Sequence, residues 1–391
     1  TGVEIDTRAL KNNARALKRF LGKKTLLMGV VKSNAYGHGL VPVARALESA
    51  DIDWLAVDSV VEALRLRRDG IRAPILVLGY TLPEHFVKAS KEKISLTVSS
   101  FAAFAAARRW TEKNKKPLGI HLKIDTGMHR QGFLPEEIFA LKKILQKNHS
   151  NVLKNLRIVA TRKKHADNLK IVGMSVEGVY SHFASANPKD PASANAQMET
   201  FKKAMRELRE IVPVPLAHIV ASGGALMFPR EFPMARSGIM LYGLWPSQST
   251  RICGEKKLKL TPVLSWRTII GEIKQIPRGE KIGYDLTEML SRTSIIGICP
   301  IGYWHGYPRS LSGKGELLVR GKRAKVLGRV SMDMIAIDVT DIPNITMGDV
   351  ATIIGKDCDE RMGVEEVALN ADTTHYEILT RINPLIKRIF L

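Results

Sequence analysis

Eight short apolar runs alternate with amphipathic segments from Asp6 to about Pro246, and this alternation limits the possible fold more than any other feature. Amphipathic stretches between the runs include Val41–Ser49, Val60–Asp69, Phe101–Trp110 and Asn195–Glu210. Eight β/α units in series predict an α/β fold, a closed (β/α)8 barrel of parallel strands. An open doubly wound sheet is the alternative, but no GxGxxG follows the first run. The runs are Thr25–Lys32, Asp53–Asp58, Pro74–Gly79, Ile94–Ser99, Leu118–Asp125, Val176–His182, Leu216–Ser222 and Met234–Tyr242.

The sequence after Ser247 has a different character. Gly or Pro separates many short runs rich in Val, Ile and Thr, which predicts a C-terminal mainly-β domain. These runs are Ser294–Cys299, Glu316–Val319, Ala324–Leu327, Met334–Val339 and Val350–Ile354. We place the domains at residues 1–250 and 251–391. The basic, weakly periodic stretch Lys147–Asn168 is interpreted as a surface insertion.

Composition and charge exclude several classes of protein. No apolar window is long enough to span a bilayer, and the first residues lack the basic and apolar regions of a signal peptide, which favours a cytoplasmic location. Three cysteines without CxxC or HExxH spacing favour a reduced compartment and no metal site. The formal charge of +22 could indicate a nucleic-acid partner. The basic residues are dispersed without interleaved aromatics, however, so a solvated basic surface is the better interpretation.

Lys32 closes the first apolar run, directly before a polar turn that contains glycine. Catalytic groups of α/β barrels lie at the carboxyl ends of the strands. A partly desolvated ammonium there releases its proton more easily, which makes the neutral amine available as a nucleophile or base. The alternative is a lysine that ends a strand and extends to solvent.

Polar side chains also follow several other runs, so we expect them to meet at one mouth of the barrel. Glycines and serines near the last two strands would expose backbone N–H groups at the usual phosphate position of such barrels, although glycines can simply turn the chain. A strand-end lysine, a phosphate cup and arginines suggest pyridoxal 5'-phosphate as cofactor. The residues are Tyr36, Lys123, Asp125, Arg130, His182, Ser222, Gly223, Gly224, Arg236, Gly238 and Ile239.

Several motifs resemble those of one family, the bacterial alanine racemases, over essentially the whole chain. The cofactor-lysine signature is similar to residues 30–39, VVKSNAYGHG. Further similar motifs are LKIDTGM at 122–128 with Arg130, RSGI at 236–239, LYG at 241–243, and GY at 302–303 with GYPR at 306–309. The resemblance implies a homodimer with shared active sites that supplies D-alanine for peptidoglycan.

The resemblance also implies residue roles. Lys32 would hold the cofactor covalently and act as one base, and Tyr284 of the second subunit would act as the other. His182 would bond Tyr284, and Arg236 would contact both His182 and the pyridine nitrogen. The phosphate would be held by Tyr36, Ser222, Gly238, Ile239 and Tyr376. The substrate carboxylate would meet Arg130, positioned by a possibly carbamylated Lys123, and the backbone N–H of Met332.

Two bases suit racemisation, which removes a proton from one face of Cα and returns one to the other. Three alternatives stay open at this point. A racemase of serine or another amino acid would keep every motif. A barrel-type decarboxylase should place an acidic residue where Arg236 stands. A non-catalytic cofactor-binding module would resemble the barrel alone, without the β domain that carries Tyr284.

Overall fold

The computed structural model describes residues 1–153, 169–171, 173–210 and 216–391. Two compact units share the chain. One consists of Ala9–Lys32 and Leu40–Pro262, and the other of Thr1–Arg8, Ser33–Gly39 and Val263–Leu391. Most of the predicted surface insertion, residues 154–168, lies outside the described residues, whereas its first seven residues end the helix Ile138–Leu153.

Eight parallel strands, all within the described residues, form the centre of the first unit. Each strand pairs with the next along the chain up to the seventh, and the eighth pairs with the first. Between the seventh and eighth strands, the N–H of Arg236 donates to the carbonyl of Val220 at 3.0 Å. The predicted barrel is therefore confirmed. Its strands are Leu26–Val30, Trp54–Val57, Ile75–Val77, Ile94–Val98, Leu118–Lys123, Met174–Tyr180, Leu216–His218 and Met234–Ser237.

Seven predicted runs contain one of these strands, and the sixth, Val176–His182, overlaps the strand Met174–Tyr180. The apolar character of the runs follows from burial on both faces. The last two strands are shorter than their runs, because they end at His218 and Ser237 and the chain turns there. A short strand, Leu169–Ile171, pairs antiparallel with the sixth strand.

Helices lie between the strands, and the four amphipathic stretches predicted as helices are confirmed. Serine caps begin two of them: Ser59 accepts from the N–H of Glu62, and Ser100 from the N–H of Ala103. Single 3-10 turns are Pro83–His85 and Pro135–Glu137. The helices are Thr7–Leu21, Leu40–Glu48, Val60–Arg68, Phe86–Lys91, Phe101–Asn114, Ile138–Leu153, Ala192–Arg209, Gly224–Met227 and Gln248–Gly254.

In the second unit, ten strands of the described residues form one mostly antiparallel sheet. The N-terminal strand Gly2–Ile5 lies between Leu264–Ile269 and Arg388–Phe390, so both ends of the chain join this sheet. A hairpin pairs Lys281–Ile282 with Glu288–Met289. The remaining strands are Glu272–Ile276, Ser294–Cys299, Glu316–Val319, Lys322–Leu327, Ile335–Asp338, Val350–Asp357 and Glu360–Met362, with helices Val364–Asn370 and His375–Arg381.

This sheet confirms the predicted mainly-β domain, and each of the five predicted runs coincides with all or part of a strand. The domain limits 1–250 and 251–391 stay a prediction. Within the described part of the chain, no helix combines the length and apolar character needed to cross a membrane.

Candidate active site

Lys32 lies at the mouth of the barrel, two residues beyond the first strand. Val31 extends the pairing of that strand, since its N–H donates to the carbonyl of Ala56 at 2.8 Å. The Lys32 side chain is 38% exposed, and its Nζ lies 3.6 Å from Oδ1 of Asp58, the residue that follows the second strand. The Lys32 amine therefore stands at the mouth with a carboxylate beside it.

The four residues after Lys32 form a left-handed turn, with φ between 52° and 56° from Ser33 to Tyr36. Left-handed L-residues cost about 1 kcal/mol each, and such strain persists where surrounding contacts enforce it. Here Arg388 supplies contacts, because its Nε and Nη2 donate to the carbonyl of Gly37 at 3.2 and 3.0 Å. A Cβ at Gly37 would lie 2.1 Å from the carbonyl oxygen of Leu379, so only glycine fits.

Tyr36, at the end of this turn, lies beside Tyr376, with ring centroids 6.2 Å apart. Burial raises the pKa of Tyr36 to about 12 and raises that of Tyr376 as well. Both phenols are therefore neutral hydroxyl groups at physiological pH, able to donate hydrogen bonds to an anion.

Lys123 ends the fifth strand as a mostly buried lysine, and its Nζ donates to Oε1 of Gln131 at 3.0 Å. Burial lowers the pKa of Lys123 to about 8, helped by the cations Arg130 and Arg236. A substantial fraction of this amine is neutral near physiological pH. Lys123 can therefore react as an amine as well as pair as a cation.

The loop after this strand is organised by Asp125. Its Oδ1 accepts the N–H groups of Gly127, Met128 and His129, each at 3.0 Å, and Oδ2 accepts that of Arg130 at 3.1 Å. Burial would raise the pKa of Asp125, but these backbone bonds outweigh it and hold the pKa below its usual value. Asp125 therefore has a structural role, because its hydrogen bonds fix the loop that carries the exposed Arg130.

Arg236, in the eighth strand, is a buried cation that joins several strand ends. Its Nη1 donates to the carbonyl of His218 at 3.1 Å, and its Nη2 to those of Ser181 at 2.6 Å and Ile219 at 3.2 Å. Nη2 also lies 3.1 Å from Nδ1 of His182, and Nη1 contacts Nδ1 of His218. Burial lowers the pKa of Arg236 to about 10, which leaves it charged at neutral pH.

This guanidinium decides which nitrogen of each neighbouring imidazole carries the proton. Burial first, and then the charge of Arg236, lower the pKa of His182 and of His121 to about 3, and that of His218 well below its usual value. All three rings are neutral at physiological pH. A guanidinium only donates, so Nδ1 of His182 and Nδ1 of His218 must accept, and both rings carry their proton on Nε2. Nε2 of His218 then donates to Nδ1 of His121 at 3.1 Å.

Ser222 and Gly238 lie opposite each other after the seventh strand and after the eighth. The hydroxyl of Ser222 accepts the N–H of Gly238 at 3.1 Å and lies 3.4 Å from the hydroxyl of Ser237. Gly223, Gly224 and Ile239 continue these two turns. Hydroxyls and backbone N–H groups therefore lie close together at this part of the mouth, and their use as an anion site stays a prediction.

Tyr284 and Met332 belong to the second unit, and both side chains are exposed, by 69% and 52%. Tyr284 begins a short turn after Gly283, and the next residue, Asp285, forms an ion pair with Arg329 at 3.1 Å. Met332 follows that arginine closely, and its carbonyl accepts the N–H of Trp304 at 3.0 Å. Tyr284 and Met332 therefore lie on one exposed, connected surface.

The sequence analysis did not identify four residues near the mouth of the barrel as site residues: Asp58, Tyr180, His218 and His121. The ring of Tyr180 stacks on His218 with centroids 4.9 Å apart, and its hydroxyl lies 2.8 Å from that of Thr97. Asp58 does end the second predicted run, so its strand-end position was a usable signal. The two histidines lie inside strands, where sequence alone cannot separate a packed ring from a bonded one.

Taken together, these features define a barrel enzyme of the two-domain class: a β/α barrel with a cationic mouth, on one chain with a mainly-β domain. Sequence comparison then identifies the family. The model of the alanine racemase N-terminal domain matches residues 5–246, and that of the alanine racemase C-terminal domain matches residues 263–390. The chain belongs to the alanine racemase family.

Full-length relatives agree with this assignment. The alanine racemase of Methanococcus maripaludis is 36% identical over 99% of this chain and 98% of its own. The alanine racemase of Symbiobacterium thermophilum is 36% identical over 100% of this chain and 97% of its own. Among solved structures, the Bacillus anthracis alanine racemase with bound L-Ala-P has a TM-score of 0.87 at 34% identity and covers 100% of this chain and 95% of its own.

Proposed function

We propose that this protein, a racemase of the alanine racemase family, interconverts L-alanine and D-alanine by a two-base mechanism with pyridoxal 5'-phosphate. The observation that carries the proposal is Lys32, an amine at the end of the first barrel strand within the family's signature. D-alanine made this way would supply peptidoglycan synthesis. The cytoplasmic location stays a prediction from the sequence.

The barrel mouth fits this cofactor. Lys32 would bind the aldehyde carbon, and the turns that carry Ser222, Gly238 and Ile239 would hold the phosphate, joined by the neutral hydroxyls of Tyr36 and Tyr376. The Nη atoms of Arg236 bond described residues, and its guanidinium would be the group that meets the pyridine nitrogen. When bound, the cofactor withdraws electrons and makes the Cα proton of an amino acid more acidic.

Arg236 also bears on the choice between racemase and decarboxylase. A carboxylate at the pyridine nitrogen would accept that nitrogen's proton, whereas a guanidinium donates only. The ring is then a weaker electron sink, which favours return of a proton to Cα over side reactions. The arginine therefore supports the racemase over a barrel-type decarboxylase.

Lys32 and Tyr284 would act as the bases on opposite faces of Cα. A phenol loses its proton only near pH 10 in water, so Tyr284 needs stabilisation of its anion. Arg236 holds His182 neutral with its proton on Nε2. That N–H is a donor for the phenolate oxygen, and the nearby guanidinium charge adds to the stabilisation. Arg236 thus supports the tyrosine through the histidine.

Arg130 and the backbone N–H of Met332 would receive the substrate carboxylate. Lys123 and Arg130 repel each other as cations, which contributes to the lowered pKa of Lys123. A neutral Lys123 amine can take up carbon dioxide as a carbamate, and the resulting anion would attract the guanidinium of Arg130. Carbamylation of Lys123 would therefore turn a repulsive pair into one that positions Arg130.

A homodimer would bring Tyr284 of one subunit to the barrel of the other. The exposed surface around Tyr284 supports this, because large apolar side chains gathered at a surface usually mark an interface. The exposed apolar residues of this surface, which we call the tyrosine surface, are Tyr284, Leu286, Met289, Tyr303, Trp304, Met332 and Met334.

A racemisation assay on a panel of L-amino acids, with pyridoxal phosphate added, tests the function. We expect L-alanine to be the best substrate, with full equilibration to the D-enantiomer. A higher rate on serine or another amino acid would move the assignment to that racemase. Decarboxylated products, or borohydride labelling at a lysine other than Lys32, would contradict the proposal.

A further inference from the structure

Asp58 has no part in the roles given above, yet the fold fixes it beside Lys32. Its carbonyl accepts the N–H of Gly79 at 3.0 Å, and its own N–H donates to Oε2 of Glu62 at 3.1 Å. A Cβ at position 79 would lie 2.4 Å from the carbonyl oxygen of Asp58, so the close approach depends on glycine there. The backbone of Asp58 is thus held on both sides.

The carboxylate of Asp58 pairs with Lys32, since Oδ1 and Nζ are 3.6 Å apart. The other charges that act around this mouth are mostly positive. Lys32 itself contributes to the lowered pKa of Lys123 and of His182, and Arg130 and Arg236 act on the same two groups. His182 is neutral and adds no charge.

Asp125 is a carboxylate that acts on Lys123, but its oxygens accept the backbone N–H groups of residues 127–130. Asp58 is therefore the carboxylate that the described structure directs at the Lys32 nitrogen. Without it, the lysine would face Lys123, Arg130 and Arg236 with no counterion, and these cations favour loss of its proton.

We propose that Asp58 is a positioning residue: it acts as the counterion of Lys32, orients the amine at the mouth and holds the proton on its nitrogen. In a racemase, the same nitrogen must take a proton in one direction and return it in the other. A carboxylate beside this nitrogen favours its charged form over its neutral form. This role in the reaction rests on the proposed function, whereas the ion pair itself does not.

Competitive acetylation of the full-length protein, without added cofactor, tests the ion pair directly. Acetic anhydride reacts with the neutral amine only, and mass spectrometry of the Lys32 peptide over a pH series gives the midpoint of its reactivity. We expect Asp58→Asn to move this midpoint down by about one pH unit, because both side chains are partly exposed and water screens a unit charge at this distance to about that effect. Asp58→Ala should move it equally, and Asp58→Glu, which keeps the charge, by clearly less.

Glu112→Gln is the matched control, because it removes a carboxylate of the same unit that pairs with Arg108 on an exposed helix face. Its midpoint should equal that of the unmodified sequence. If Asp58→Asn and Asp58→Ala also leave the midpoint unchanged, the proposal is wrong. Circular dichroism of each variant establishes that the comparison is between folded proteins.

A second readout uses the protein with pyridoxal phosphate bound, by following its absorbance against pH. The proton on the cofactor-bound lysine nitrogen should be lost at lower pH in Asp58→Asn than in Asp58→Glu or Glu112→Gln. If the absorbance band of the lysine-bound cofactor appears but titrates identically in all variants, Asp58 has no such role in the protein with cofactor bound. If no lysine-bound band forms in any variant, the proposed cofactor function fails, while acetylation still decides the ion pair.

Discussion

The mouth of the barrel and the tyrosine surface hold proposed catalytic groups in opposite ways. At the mouth, Arg236 is 3% exposed and bonds two imidazoles and three carbonyls. The folded barrel therefore sets both the position of this guanidinium and the nitrogen that carries the proton in each imidazole. On the tyrosine surface, Tyr284 is 69% exposed. The difference teaches how the proposed two-base site would be divided: bonds to buried groups fix the barrel half, whereas Tyr284 would be presented to a partner subunit.

The largest effect is expected at the barrel mouth itself. Lys32→Ala removes the amine proposed to bind the cofactor and to act as one base, so racemisation should fall by about a thousandfold or more. Absorbance and borohydride labelling should show no lysine-bound cofactor. Lys11→Ala, on the N-terminal helix, is the control and should behave as the unmodified protein. Activity near normal in Lys32→Ala would contradict the assignment of the barrel base.

The tyrosine surface should respond differently. Tyr284→Phe removes the proposed second base, so we expect a loss of about a hundredfold to ten-thousandfold in rate while the lysine-bound absorbance band persists. Steady-state kinetics with L-alanine and with D-alanine, together with absorbance, measure this. An undiminished rate with both enantiomers would show that Tyr284 is not a base.

Mixing the two inactive variants tests whether the halves come from different subunits. A dimer of one Lys32→Ala and one Tyr284→Phe subunit contains one intact site if the tyrosine crosses over. Random reassociation should then restore about a quarter of the normal activity, because half of the dimers are mixed and each has one working site. If both residues act within one subunit, no mixed dimer regains activity.

A smaller effect is expected when only the packing of the tyrosine surface changes. Met289, which is 64% exposed, would be covered in a dimer. Met289→Lys should weaken self-association by about tenfold or more, since a buried unpaired charge is costly. Analytical ultracentrifugation over a concentration series measures this. Met289→Leu, which stays apolar, is the control, and equal dissociation constants for both variants would exclude Met289 from the interface.

The smallest expected effect is on the pH dependence of the free energy of unfolding, and it arises from the buried histidines of the barrel. His182 and His121 have a folded-state pKa of about 3 against an ordinary value of 6.5, so the unfolded chain binds protons first as pH falls. The free energy of unfolding should therefore fall below about pH 6.5, by roughly 1.4 kcal/mol per pH unit for each buried histidine. Urea unfolding at several pH values measures this slope. His121→Gln should reduce it, and an unchanged slope would show that His121 is protonated in the fold.

Local patterns in the chain were enough to predict the strands of the barrel, four of its helices and the position of Lys32. Burial on both faces of a parallel strand requires an apolar run, and a strand-end residue is visible wherever such a run stops. The pattern could not place the strand Gly2–Ile5, because pairing with residues 264–269 and 388–390 depends on contacts between distant parts of the chain.

The amino-acid order alone thus established a barrel, a β domain and an amine at a strand end, because apolar periodicity and turn residues act over a few neighbouring positions. The closure of the barrel then determined which charged and titratable groups lie next to one another. It brought Asp58 to Lys32 and set Arg236 between His182 and His218, and it thereby chose the protonation of groups up to 54 residues apart in sequence. Charge and proton placement depend on distances through space, which only the folded chain sets.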